Sequence, residues 1–363
     1  MSQLLQRIRE RLLIEPDSGR RAELLAKQAG YFARVGRFAD ARQTISEIRQ
    51  VFGDGRSGRV TAFTMLAEGL VLQYEQLGSG AFDRIARAQL LGQAMKDREV
   101  TAISSAWRAH LEFERSDFEG SARSLRIALQ SAAEDDHSAR VRCAIVLFNA
   151  FALFGERSES QRWFLAGREH AVKDGDQASI DALLHSRATF GVARLRAQSC
   201  KGSLDDSAVR LARAEVSSAR NLQQLTHVEA HATFIDLCDA RLKIIEGDFQ
   251  NAIDMLTSIR NAGPYPSGHF SQDLVELEVA YCRTKLQRAT NPDESVIPID
   301  CDSFTSLDID DRLAVAWMSL ELAKLDSRYA ATPAALEHFD RVAIEYEEWL
   351  RSMQELFAEF SVA

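Results

Sequence analysis

The sequence predicts an all-α fold in which antiparallel helix pairs stack into an α-α superhelix. Two segments, beginning at Gly36 and Gly247, share one spacing: glycine, phenylalanine two residues later, alanine three residues after that, then aliphatic residues at steps of four and three. The glycine turns the chain, the alanine lets two helices approach closely, and the aliphatic residues form one buried stripe. Because such a helix-turn-helix unit recurs, we expect a stacked helical array.

The placement of proline favours a long run of helices. No proline lies between residues 17 and 263, so the breaks in that stretch come from glycine and short polar clusters. Between the breaks, apolar residues recur at steps of three and four, as they do from Phe63 to Tyr74, which is helical rather than strand periodicity. The breaks predict about fourteen to sixteen helices.

A second set of breaks gives the length of the repeating unit. Short polar clusters at 96–98, 134–136 and 173–176 are spaced 38 and 39 residues apart, and they interleave with corners near Phe118 and Gly155. The unit is therefore about forty residues long, which is within the range of helix-pair repeats.

These residues carry a resemblance to a known family. The first unit matches the spacing of tetratricopeptide repeats at Leu25, Ala29, Phe32, Gly36, Phe38, Ala41 and Ile45. The second keeps Ala240, Phe249, Ala252 and Leu256. Asp236 and Lys243 replace large apolar residues there, and the proline that usually closes a repeat is missing. Over roughly residues 20–260 the chain resembles the degenerate, longer-helix form of this family found in many bacterial regulators and scaffolds.

The character of the chain changes near residue 262. We expect a repeat array over 1–262 and, over 263–363, an atypical acidic helical cap that continues it, including a long irregular connection at 291–311. Residues 1–130 hold 20 Lys and Arg against 16 Asp and Glu, whereas residues 261–363 hold 8 against 19. A solubilising cap explains this gradient; docking of a basic partner or head-to-tail self-association is the alternative.

Composition limits the setting of the protein. No run of 18 apolar residues and no export signal are found, so we expect a cytoplasmic protein without membrane contact. The five cysteines are far apart and form no C-x-x-C pair, which predicts neither a disulfide framework nor a four-sulfur zinc site. Cys143, Cys238 and Cys282 lie in apolar-periodic helices and are expected in the core.

No pattern typical of catalysis emerges. The glycine-rich stretch 53–59 lacks the Gly-Lys-Ser/Thr ending of a phosphate-binding loop, and a loop between helices explains it better. His227 and His231 are four residues apart, a spacing that can place two imidazoles on one metal ion, but no third ligand can be assigned. Ordinary surface or groove histidines are the preferred interpretation. We therefore expect no enzymatic activity, no catalytic residue, no resident metal and no cofactor.

Four polar residues stand at equivalent places in successive units. His110, Asn149, Arg196 and Arg241 each lie six residues before a corner. In the family that the chain resembles, this helix lines a concave surface that grips peptides or protein segments, which implies a partner-binding groove along these four side chains. The alternative for Asn149 is a hydrogen bond to a neighbouring helix, with the arginine stems covering it, and a structural role is preferred for His110.

The expected function is a scaffold, adaptor or regulatory subunit that binds a protein segment or peptide in its concave groove. The alternative is a regulatory module in a signalling or defence pathway that senses a peptide or small ligand. Nucleic-acid binding through the Arg-rich first 130 residues is weaker, because their net charge is only +4.

Overall fold

The computed structural model describes residues 2–53, 57–76, 80–226, 232–261, 271–291, 299–325 and 332–361. Within these ranges the chain forms sixteen α-helices and two short 3-10 helices, with no strand. The α-helices are α1 (Gln3–Ile14), α2 (Ser18–Arg34), α3 (Phe38–Phe52), α4 (Gly58–Gln76), α5 (Ala81–Met95), α6 (Arg98–Glu114), α7 (Phe118–Ser131), α8 (His137–Leu153), α9 (Arg157–Asp174), α10 (Gln177–Cys200), α11 (Asp206–Thr226), α12 (Ala232–Ile245), α13 (Phe249–Asn261), α14 (Gln272–Thr290), α15 (Ile309–Leu325) and α16 (Thr332–Phe357). The 3-10 helices are Cys301–Phe304 and Ala358–Phe360. The all-α class and the expected number of helices are confirmed.

The first helix of five units ends in the same way, at a residue in the left-handed backbone conformation. The residues at these corners have φ between 59° and 81°: Gly36, Ser116, Gly155, Gly202 and Gly247. At Gly247 the backbone N–H donates to the Ile244 carbonyl at 3.1 Å, and the N–H of Asp248 donates to the Lys243 carbonyl at 2.9 Å. This pair of bonds satisfies the last carbonyls of a helix and needs a left-handed residue, which glycine adopts without strain. Ser116 takes the same conformation with a side chain.

The short polar clusters noted in the sequence provide the N-terminal caps of the next inner helices. Asp97, Asp136 and Asp176 precede α6, α8 and α10, and each carboxylate accepts a hydrogen bond from the backbone N–H three residues on. An aspartate in this position satisfies one of the unpaired amides at a helix start. Glycine corners and aspartate caps therefore alternate, which produces the forty-residue period expected from the sequence.

The even-numbered helices form the inner layer of the array. From α2 to α12 they pack on one another in succession, and the odd-numbered helices pack outside them against their chain neighbours. The alanines of the two related segments, Ala41 and Ala252, are both fully buried, as close helix approach requires. The aromatic residues Phe38 and Phe249 are both half-buried, and the ring of Phe249 packs 6.1 Å from that of Tyr281.

Both ends of the chain turn back towards the middle of the array. Helix α14 extends the stack on α13, but α15 then lies against α10, and α16 crosses α7 and α8. The Phe357 ring lies 6.4 Å from the Phe113 ring and 5.8 Å from the Phe154 ring. At the other end, the N–H of Leu4 donates to the Gly175 carbonyl at 3.1 Å. The C-terminal region therefore covers part of the inner face.

The cysteines expected in the core, Cys143, Cys238 and Cys282, are buried. None of the helices in the described ranges combines the length and the apolar character that a membrane crossing requires.

Candidate functional site

The inner layer encloses a cavity of about 610 Å³. Its walls come from the even-numbered helices α4, α6, α8, α10 and α12, and residues 306–311 together with Trp349 of α16 close it on the C-terminal side. A volume of this size is typical of pockets that hold small organic molecules. The return of the C-terminal region thus converts a concave face into a chamber.

All four polar residues singled out by their spacing line this cavity: His110, Asn149, Arg196 and Arg241. Each stands six residues before its corner, and that spacing turns the same face of each inner helix towards the centre of the array. The structure brings them to one cavity but divides them into two ends with different electrostatics.

At one end, the two arginines are held in ion pairs by acids of the C-terminal region. Arg196 Nη1 lies 2.8 Å from Asp311 Oδ1, and Arg241 Nε donates to Glu278 Oε1 at 2.9 Å. Arg196 Nη2 and Arg241 Nη2 reach Glu278 and Asp311 at 3.9 and 3.6 Å, so each acid faces both cations. Burial pulls the pKa of Arg196 down, but Asp311 and Glu278 more than offset it, and the pKa lies above its ordinary value.

The acids at this end exceed the cations. Glu278 is only 2% exposed and comes from α14, whereas Asp310 and Asp311 begin α15. Burial, with the neighbouring Asp311 charge, raises the pKa of Asp310 to about 6. A carboxyl with such a pKa takes up a proton at mildly acidic pH, which relieves the surplus of negative charge.

Further ion pairs join the acidic C-terminal region to the body of the array. Lys201 at the end of α10 pairs with Glu347 of α16, and Arg126 of α7 pairs with Glu359. The negative charge of this region is therefore matched in part by cations of the same chain. The sequence contained this signal as a charge gradient, although it did not say where the acids would dock.

The other end of the cavity contains a cation that the spacing did not predict. Arg142 of α8 is 2% exposed and lines the cavity. Its guanidinium stacks 3.6 Å from the centre of the Trp107 ring and hydrogen-bonds with the Tyr74 hydroxyl. Within the described part of the chain it forms no ion pair, and its Nε has no hydrogen-bond partner. Burial lowers the pKa of Arg142, and the neighbouring Tyr74, Asp176 and Glu114 offset only part of that effect.

Nearby acids are engaged by other groups. Asp176 Oδ2 lies 2.7 Å from Arg34 Nη1, and Glu114 accepts from Gln73 Nε2 at 2.6 Å and lies 3.0 Å from His110 Nε2. Burial lowers the pKa of Arg34, but Asp176 reverses that effect and the pKa lies above its ordinary value. Arg34 is largely buried and Arg142 is buried, yet of the two only Arg34 has a carboxylate of the described residues in contact.

Two more polar atoms in the cavity wall lack partners among the described residues. They are His110 Nδ1 and Asn149 Oδ1. Asn149 is 5% exposed, so an unmade hydrogen bond there carries the cost of a desolvated amide. The alternative considered for Asn149, a hydrogen bond from a neighbouring helix, is not made to its Oδ1 by any residue in the described ranges.

Apolar side chains fill the wall between the two ends. They include Phe113, Ile145, Leu153, Phe190, Phe234 and Trp349. A ligand in this cavity would therefore meet a largely apolar surface with a few polar atoms in fixed places, the usual composition of a small-molecule site.

No metal site is formed by the described residues, since they contain no group of three His, Cys, Asp or Glu side chains able to hold an ion. His227 and His231, the weak metal alternative, lie outside the described residues. A histidine pair does occur where α8 begins, with His137 Nδ1 and His170 Nδ1 3.1 Å apart. No protein-family model matches this chain, and no curated protein sequence matches it.

Proposed function

We propose that this protein is a non-enzymatic regulatory module that binds a small ligand inside the array. The observation that carries the proposal is the closure of the concave face by α15 and α16, which leaves a chamber of about 610 Å³ with unpartnered polar atoms in its wall. We take the chamber as a binding site rather than a reaction centre because Asp311 is ion-paired with Arg196, and Glu114 is held by Gln73 and His110.

The architecture supplies a means of response. A ligand in the chamber would contact both the inner helices and the C-terminal region, because Trp349 and residues 306–311 belong to its wall. Binding would therefore favour the state in which α16 is docked, by an amount equal to the difference in affinity between the two states. The readout would be the exposure of α16 to a partner in the cytoplasm.

The second candidate is a scaffold that binds a protein segment on its inner face, as the resemblance to tetratricopeptide repeats implies. It is favoured by the way the acidic C-terminal region occupies the arginine end of the groove through Arg196 and Arg241. An acidic segment of a partner protein would compete for the same cations. This function requires the C-terminal region to leave the groove.

Native and denaturing mass spectrometry of protein purified from its native host would test the first proposal. We expect a small excess mass under native conditions that disappears on denaturation. Ala193→Phe, which places a ring in the cavity, should abolish the excess, whereas Ala214→Phe on the exposed side of α11 should retain it. A bare chain would contradict the proposal, and a stoichiometric protein partner whose binding needs Arg196 would establish the scaffold.

A further inference from the structure

The buried guanidinium of Arg142 indicates what the cavity binds. A charged side chain taken out of water needs an opposite charge or a full set of hydrogen bonds. Arg142 is 2% exposed, forms no ion pair within the described ranges, and has an unpartnered Nε. The Trp107 face at 3.6 Å and the Tyr74 hydroxyl satisfy it only in part.

The described acids around it do not provide the missing anion. Asp176 is bound to Arg34, and Glu114 is bound to Gln73 and His110. At the far end of the cavity the situation is reversed, because the arginines there face a surplus of acids. The chamber is therefore polarised, with its uncompensated positive charge near His110, whose ring lies 5.6 Å from the Trp107 ring on which Arg142 stacks.

We propose that the ligand is an organic anion with an apolar body, whose carboxylate or phosphate group is bound by Arg142; this inference rests on the proposed ligand-binding function. Arginine presents donors in a planar fork that matches both kinds of group. Asn149 and His110 orient the anionic group, while Ile145 and Phe190 contact the apolar body. A neutral molecule of the same shape would leave the guanidinium uncompensated.

The alternative is that Arg142 has a purely structural role, in which its aliphatic chain and planar guanidinium pack on the Trp107 ring. The two roles differ in what Arg142→Met would do. In the structural role the variant loses stability together with every binding property. In the ligand-binding role the variant folds with a transition temperature near that of the wild type, because it replaces an uncompensated charge with an apolar side chain of similar length.

The test uses three probes of related shape on the full-length protein freed of any bound molecule. They are 3-phenylpropionate, phenyl phosphate and the neutral 3-phenylpropan-1-ol, titrated by calorimetry at constant ionic strength. We expect the wild type to bind at least one anion about 10- to 100-fold more tightly than the alcohol, since a hydrogen bond to a charged group is strong in a buried site. Arg142→Met should abolish this preference. The stronger anion identifies the carboxylate or the phosphate as the group that is recognised.

A matched control is Arg123→Met on the exposed face of α7, which should keep the wild-type preference. Equal affinity for anion and alcohol, an unchanged preference in Arg142→Met, or no binding of any probe would overturn the inference. Binding of the alcohol alone, or of all three equally, would leave the ligand-binding function standing, so the two proposals fail separately.

Discussion

The two ends of the cavity use the same residue type in opposite ways. Arg196 and Arg241 are each held by carboxylates of the returning C-terminal region, whereas Arg142 at the other end contacts none in the part of the chain that the structure describes. The difference arises from topology, because α14 and α15 bring Glu278 and Asp311 to one end only. A buried cation that is paired with an acid of the chain stabilises the fold. A buried cation without such an acid can bind an anionic ligand instead.

The comparison also explains why spacing alone does not identify a binding residue. His110, Asn149, Arg196 and Arg241 occupy equivalent positions and share one cavity. The last two are nevertheless engaged by other parts of the chain. An equivalent position in the repeat determines which way a side chain faces. Contacts with distant parts of the chain determine whether that side chain is free to bind a ligand.

The largest expected effect comes from removing Glu278, the more buried of the two acids that both arginines contact. Glu278→Gln should reduce the free energy of unfolding by about 3–5 kcal/mol, because it leaves buried guanidinium groups with one counter-charge fewer. Urea unfolding monitored by circular dichroism measures the loss. Glu276→Gln, on the exposed side of the same helix, should cost less than about 0.5 kcal/mol. A loss of that small size for Glu278→Gln would show that the arginine end is held by Asp311 alone.

A buried acid on α10 provides a large effect that depends on pH. Asp181 is 2% exposed, and burial raises its pKa to about 7. The folded state therefore binds more protons than the unfolded state between about pH 4 and 7, so the contribution of Asp181 to stability falls as pH rises through that window. Asp181→Asn should be more stable than the wild type at pH 8 by roughly 2–4 kcal/mol and equal to it near pH 4. The difference between the two unfolding curves isolates this group; a pH-independent difference would assign Asp181 an ordinary pKa.

Paired substitutions sharpen the contrast between compensated and uncompensated cations. Arg142→Met should change the free energy of unfolding by no more than about 1 kcal/mol, because the lost stacking on Trp107 is offset by removal of a buried charge. Arg34→Met should cost about 3–5 kcal/mol, since it strands Asp176. Thermal unfolding of the two variants side by side is the measurement. Equal losses would mean that Arg142 has a counter-charge after all.

The smallest expected effect concerns the corners that end the inner helices at the two ends. Gly202, six residues after Arg196, has φ 66°, and a methyl group added there would have no described atom within 4 Å. Gly202→Ala should therefore lower the free energy of unfolding by about 1 kcal/mol through backbone strain alone. Ser116, behind His110, holds φ 59° with a side chain, and Ser116→Gly should gain up to about 1 kcal/mol. Differential scanning calorimetry resolves both shifts, and a destabilised Ser116→Gly would show that its 3.3 Å bond to Asp308 outweighs the strain.

Much of the fold follows from local chemistry that is visible in the sequence. Glycines that turn the chain and aspartates that cap helices act within a few residues, so their spacing predicted the helix pairs and the face that lines the cavity. The return of the C-terminal region depends on contacts such as Phe113 with Phe357, more than 200 residues apart, which no local pattern encodes. Arg142 was missed for the same reason. The one available signal was a cation beside the nearly continuous apolar run at 143–154.

The packing of α16 against α7 and α8 has a consequence during synthesis, because α16 is made last. The rings of Phe113 and Phe154 emerge from the ribosome long before Phe357, which packs against both. At typical translation rates about 200 residues take on the order of 10–40 s, during which this aromatic surface lacks the cover that Phe357 provides. The nascent protein therefore passes through a stage in which the helices before α16 are made but the surface that α16 covers is exposed. Chaperones can bind this surface most readily during that stage.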